Sequence, residues 1–139
     1  MKRFLAAPLF LMVLAASGPE QPIVETAGGD WHQLPPMKFR GYDHLQPKVM
    51  AYLYQIAAGR QCTIPGYTVG KLDLNLPFAA QFGADGGLQR VILPKLNCPA
   101  AEGALGGALI DMIRAGDYRP TGENPEGWYQ SKLSFDFEG

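Results

Sequence analysis

Few residues in this chain carry side chains suited to chemistry, and their spacing does not gather them. The strongest acid–base candidates are Glu102 and Asp111, with His44 or His32 as a partner. General acid–base work needs its groups in one site. Nine positions at 100° each set Glu102 and Asp111 on opposite sides of a helix. Ser131 and Ser134 stand in Gln130-Ser131-Lys132 and Leu133-Ser134-Phe135, without the glycine-flanked elbow of a nucleophilic serine. Gly83 to Gly87 lacks the lysine and the helix start of a phosphate-cradling loop. A solvated acid or a turn glycine is the ordinary explanation of each. The expectation is a protein that is not an enzyme. The alternative is a small hydrolase whose site is assembled from residues distant in sequence.

Cys62 and Cys98 would serve as a metal site, a thiol nucleophile or a disulfide. Cys98 lacks the C-x-x-C spacing of redox and zinc motifs, and only His32 and His44 exist to complete a metal shell. No metal or cofactor is expected. The compartment decides in favour of the bridge. Lys2 and Arg3 precede an apolar run, Phe4 to Ala16, that is about 13 residues long, within a signal sequence's range and short of the roughly 20 that span a bilayer. Ala15 and Ser17 supply the small side chains of a cleavage site before Gly18. Residues 1–17 therefore read as a signal peptide, and the mature chain as periplasmic or secreted, with no stable membrane span. In an oxidising compartment an even cysteine count favours a Cys62–Cys98 disulfide.

Loss of Lys2 and Arg3 takes the formal charge from −1 to near −3. The remaining basic residues, from Lys38 to Lys132, are scattered singly, so no basic stripe invites nucleic acid. About 120 residues then make one domain.

Residues 18–42, with Gly28-Gly29 and Pro35-Pro36, read as an irregular lead-in. Residues 43–139 form a single α+β domain. Asp43 would cap a helix from His44 to about Ala58, with Leu45, Val49, Leu53 and Ile56 as its core stripe. From Leu72 to Phe82, apolar residues alternate with Asp73, Asn75, Pro77, Ala79 and Gln81, predicting a half-buried strand with an edge or bulge at Pro77. Gly83-Ala84-Asp85-Gly86-Gly87 turns it into a returning strand, Leu88 to Leu93, as a hairpin. A second helix starts at Pro99 and stops at Gly116. Its Gly103, Gly106 and Gly107 would permit close packing of helix on sheet. Tyr118 to Pro120 is a short extended piece, and Trp128 to Glu138 a last strand with Tyr129, Ser131, Leu133, Phe135 and Phe137 on one face.

The ordered set Phe78-x-x-x-Phe82-x-x-Asp85-Gly86, Val91, Ala101 and Leu105, Tyr118-Arg119-Pro120, Gly122 and Phe135-x-Phe137 resembles the C-terminal domain of TonB-type energy transducers, over about residues 72–138. The resemblance implies a small antiparallel sheet with a helix packed across it, here preceded by an extra N-terminal helix. It also implies a periplasmic binder that adds a partner's extended segment to its sheet. Transducers of this kind also carry a membrane anchor and a long Pro-rich spacer. A cleavable signal and a short lead-in stand in their place here, so the expectation is a stand-alone module without energy transduction.

The last strand is the expected binding edge, through Trp128, Tyr129, Gln130 and Lys132. Trp128 would anchor a partner or pack over the end of the core, and Trp31 has no assigned role. The expected partner is a periplasmic or outer-membrane protein, or a second copy of the chain meeting the first through a sheet edge.

Overall fold

The computed structural model describes residues 21–40 and 45–139. The expected signal segment, and Asp43 and His44 at the expected start of the first helix, lie outside the described residues. In chain order the elements are β1 (Ile23–Thr26), β2 (Lys38–Phe39), α1 (Pro47–Ala58), β3 (Tyr67–Thr68), β4 (Lys71–Phe82), β5 (Leu88–Leu93), α2 (Pro99–Arg114), β6 (Tyr118–Arg119) and β7 (Gly127–Glu138). They form an α+β fold, with both helices against one face of the main sheet. No helix of the described residues is long and apolar enough to cross a membrane.

The alternation in β4 organises the rest. Leu72, Leu74, Leu76, Phe78, Ala80 and Phe82 are all buried, while Asp73, Asn75 and Pro77 face solvent. Each fully buried Leu or Phe of this row contributes roughly 1.5–3 kcal/mol. β7 runs antiparallel along all of β4, from Lys71 opposite Glu138 to Phe82 opposite Gly127. The other side of β4 is shared: β3 pairs at Lys71 and Leu72, and β5 at Ala79 to Phe82. Pro77 is thus in an interior strand, and the reason it fits there is phase. Asp73 donates its N–H to Gly66 on the β3 side at 3.0 Å. Pro77, four residues on, aims the same way, so its missing N–H faces the gap between β3 and β5 and the β7 ladder loses nothing. A bulge does occur in β4, but between Gln81 and Phe82.

The hairpin turn closes through Gly83 N–H to Gly87 O and Gly86 N–H to Gly83 O, both 2.9 Å, with the Asp85 carboxylate accepting from Gly87. Gly86 alone of its glycines needs a left-handed backbone, at φ 82°.

Residues 21–40 are more ordered than their composition suggests. β1 adds to β5 in parallel, Val24 opposite Val91, so the sheet is mixed rather than purely antiparallel. Residues 27–34 then cross the face away from the helices. Ala79, which points to that face, is completely buried, unlike Asp73, Asn75 and Pro77 in the same phase. The segment reaches β7 at Pro36, opposite Gln130, before β2 pairs with β6. This strap connects opposite edges of the sheet.

α1 starts at Pro47 rather than at the expected His44, with extended Gln46 at its N-cap position and without a side-chain cap bond; it buries Leu53, Ile56 and Ala57. α2 buries Ala101, Leu105, Ala108, Leu109, Met112 and Ile113. Of its three glycines only Gly106 is a contact point: a Cβ there would lie 2.5 Å from Cγ1 of Val24. Gly103 and Gly107 have open space around them. The Cys62–Cys98 disulfide, with Cα atoms 5.7 Å apart, ties the segment after α1 to the residue before α2.

Two outcomes follow from this packing. Replacing both cysteines by serine removes a cross-link that closes a span of 36 residues. In the chain-entropy model this lowers the unfolding free energy by about 3–4 kcal/mol, measurable by guanidinium titration. Gly106→Val pushes Val24 away, so amide hydrogen exchange at residues 23–26 accelerates while that of β4 changes little.

Candidate functional site

β7 presents its two sides unequally. Tyr129, Ser131, Leu133, Phe135 and Phe137 point to the helices, and the phase of the strand sends their main-chain groups to β4. The N–H and C=O of the even-numbered residues point outward, as Gln130 demonstrates: its N–H donates to Pro35 O at 3.0 Å and its O accepts from Met37 N–H at 2.8 Å. Gln130, one of the four residues expected to form a binding edge, is therefore already covered by the strap. Tyr129 is buried, with its ring edge-on to Phe82 at 5.8 Å. Trp128 is half-buried next to it in sequence.

Lys132 alone of the expected four belongs to the open part of the edge. Its carbonyl accepts from the Tyr118 hydroxyl at 3.3 Å. Beyond it, the outward main-chain groups of Ser134 and Asp136 have no strand partner among the described residues. On the β4 side the ladder is extended past Glu138, Gly139 N–H donating to Gly70 O at 3.0 Å, and Gly70 N–H donates to the Tyr54 hydroxyl at 3.1 Å. The ring of Tyr54 also packs on Phe137, 5.6 Å between centroids. The open edge is thus held straight by the ladder with β4 and supported from below by α1. Periodicity located this strand. It could not locate the open stretch, because the strap that covers Gln130 comes from almost a hundred residues earlier.

On the helix-free face the open edge is charged. Asp73 of β4 lies directly opposite Asp136, next to the pair Asn75 and Ser134, where the serine hydroxyl donates to Asn75 Oδ1 at 3.1 Å. A shared proton with Asp136, and the negative charge of that neighbour, raise the Asp73 carboxyl above its ordinary 3.8, against a smaller opposing pull from Lys71. Both carboxylates are exposed to solvent.

The residues considered for acid–base chemistry lie apart. Glu102 in the first turn of α2 accepts from the N–H groups of Leu96 at 2.6 Å and Asn97 at 3.1 Å, which fixes the loop entering the helix. Asp111 is exposed along the cleft between α1 and α2. His32 sits on the exposed strap, its ring 2.5 Å from Asp30 Oδ1. That contact, with the His32 backbone N–H, lowers the Asp30 carboxyl. A cavity of about 650 Å³ opens at the C-terminal end of α2, between Phe82, Leu88, Ile113 and Tyr118, with Arg114 and Arg119 in its wall. Neither a serine, a cysteine nor a histidine lines it.

No family model matches the chain, and neither a curated protein nor a solved structure does.

The carboxylate pair yields a signed expectation. The folded state holds the Asp73 proton more tightly than the unfolded chain does, so ionisation costs the fold. The penalty is fully present above the raised folded value, shrinks as the pH falls through it, and is gone below 3.8. Asp136→Asn therefore raises the thermal midpoint at neutral pH, and the gain over the unaltered protein fades on acidification.

Proposed function

We propose that this chain acts outside the cytoplasm as a non-enzymatic binding module, taking an extended segment of a partner protein along residues 132–138 of β7. The observation that carries this reading is the outward N–H and C=O groups of Ser134 and Asp136, on a strand whose inner side is paired with β4 throughout its length. Unpaired strand groups bind other strands by default, main-chain bonds giving affinity and alternate side chains giving selectivity. Half-buried Phe135 and Phe137 offer the apolar side of such a site. Export is supported by the pattern Lys2-Arg3 followed by Phe4 to Ala16, and by a disulfide of the kind that persists in oxidising compartments. The resemblance to transducer C-terminal domains points the same way, with binding retained and force transmission absent.

Ser134→Pro tests the edge directly. Proline is tolerated on an edge strand where its missing N–H would have faced solvent, so the fold survives while one donor is lost. Affinity for a partner captured from a periplasmic extract falls about tenfold or more, read as bound fraction against concentration. Undiminished capture by a folded Ser134→Pro protein would mean that the partner binds elsewhere.

A further inference from the structure

The cavity at the C-terminal end of α2 is separate from the open strand edge, for none of its lining residues belongs to β7. At about 650 Å³ it falls within the range of roughly 300–1,000 Å³ common to small-ligand sites. The apolar part of its lining is Phe82, Leu88, Ile113 and Tyr118, and the basic part is Arg114 and Arg119. Arginines near the end of a helix ordinarily serve its last carbonyls. Here those carbonyls are already taken. Asp111 O accepts from Ala115 N–H at 2.9 Å, Met112 O from Asp117 N–H at 2.9 Å, Ile113 O from Gly116 N–H at 3.0 Å, and Ala115 O from the Arg40 guanidinium at 2.6 Å. Among the described residues the side chains of Arg114 and Arg119 have neither a hydrogen bond nor an ion pair.

Arg119 also has a like charge close by. Gly116, which lines the cavity at φ 88°, lacks a Cβ that would lie 2.7 Å from Arg40 Nη2, 3.1 Å from Arg119 Nη2 and 3.3 Å from Arg119 Nε. Two guanidiniums thus converge on one glycine. Arg40 is 4.0 Å from the buried Asp117 carboxylate, whereas Arg119 reaches no acid. An anion placed beside Gly116 would relieve that repulsion, and a guanidinium takes a carboxylate through two parallel hydrogen bonds. Asp85 lines the cavity too, its Oδ1 accepting from Gly87 N–H at 2.9 Å. That carboxylate and the negative end of the α2 dipole oppose a dianion such as phosphate more than a single carboxylate. The apolar lining adds its own demand, a hydrocarbon or aromatic group next to the charge. We propose that this cavity binds an apolar acid, with Arg119 and Arg114 holding its carboxylate near Gly116 and its apolar group packed against Leu88, Ile113 and the neighbouring rings. The same chemistry is offered by a free fatty acid and by the C-terminus of a peptide whose last residue is apolar.

Isothermal titration of the oxidised protein with decanoate, and with an N-acetylated tripeptide ending in phenylalanine, distinguishes the two sources. At least one acid binds with a submillimolar Kd, the tighter of them naming the source, and its amide binds about tenfold more weakly or worse. Arg119→Gln and Arg114→Gln, both at exposed side chains, leave the thermal midpoint nearly unchanged and each weaken the acid about tenfold. Arg119→Lys keeps the charge without the fork and recovers only part of the loss. The proposal is overturned if neither acid binds up to the millimolar range, if the amides bind as well as the acids, or if inorganic phosphate competes as strongly as they do. Affinity indifferent to both glutamine variants overturns it as well. A tripeptide weakened by Ser134→Pro and not by Arg119→Gln is held by β7, and that result counts against the cavity as a peptide site.

Discussion

The fold depends on the ladder between β4 and β7. Each of the 12 residues of β4 faces a residue of β7, and the alternation along both strands gathers their apolar side chains on one face. A slip of one residue would turn that face outward, so burial of the Leu72 to Phe82 row fixes the register. Both helices need this surface. Neither α1 nor α2 has a side-chain cap at its N-terminus, and α2 carries three glycines, so their stability comes from the sheet they cover more than from their own propensity. The disulfide adds to an arrangement the ladder has already specified, by holding the end of one helix near the start of the other.

A sheet built on one long central ladder has edges to protect, and the chain protects them selectively. β1 lies along β5, with Arg90 on β5 3.5 Å from Glu25, and the strap crosses to reach Gln130 on β7. The same segment thus covers β5 from Arg90 to Leu93 and β7 only near its start. The Thr121 hydroxyl donates to Pro36 O at 3.0 Å and fastens the strap where it meets β7. Further along β7, past the Lys132 carbonyl that accepts from Tyr118, no strand covers the outward groups among the described residues.

What could be read in the sequence divides along the same physical line. β4, β5, α2 and β7 are legible because their patterns are local: period two over Leu72 to Phe82, turn glycines around Asp85, and Pro99 opening a helix. The Cys62–Cys98 bridge is legible from the even cysteine count together with the reading of residues 1–17 as an export signal. β1 was not legible, since residues 23–26 are exposed in all four positions and earn their strand state only by adding to β5, about 67 residues away. Gly103, Gly106 and Gly107 together signal close approach, but only Gly106 makes it, and its neighbour is β1, which no local pattern announces. The surroundings of the expected binding residues were hidden for the same reason, Gln130 exchanging main-chain bonds with the strap. Trp128, Tyr129 and Gln130 are on the right strand, yet whether an edge is open depends on what lies beside it. Only Lys132 belongs to the part left free.

The charges on that free part explain how an open edge coexists with a well-defined protein. A flat apolar edge invites every register and every partner, and natural sheets blunt such edges with charge. Here Lys132, Asp136 and Glu138 occupy alternate positions on the helix-free face, and Asp73 stands beside Asp136. A strand arriving with an acid opposite Asp136 meets two negative groups and is repelled. One arriving with an acid opposite Lys132 and a base opposite Glu138 is held at both ends. The main-chain groups of Ser134 and Asp136 supply attraction without preference. Under the proposed strand addition, the charges around them would restrict it to strands of complementary pattern, and the strap at Met37 would set where such a strand stops.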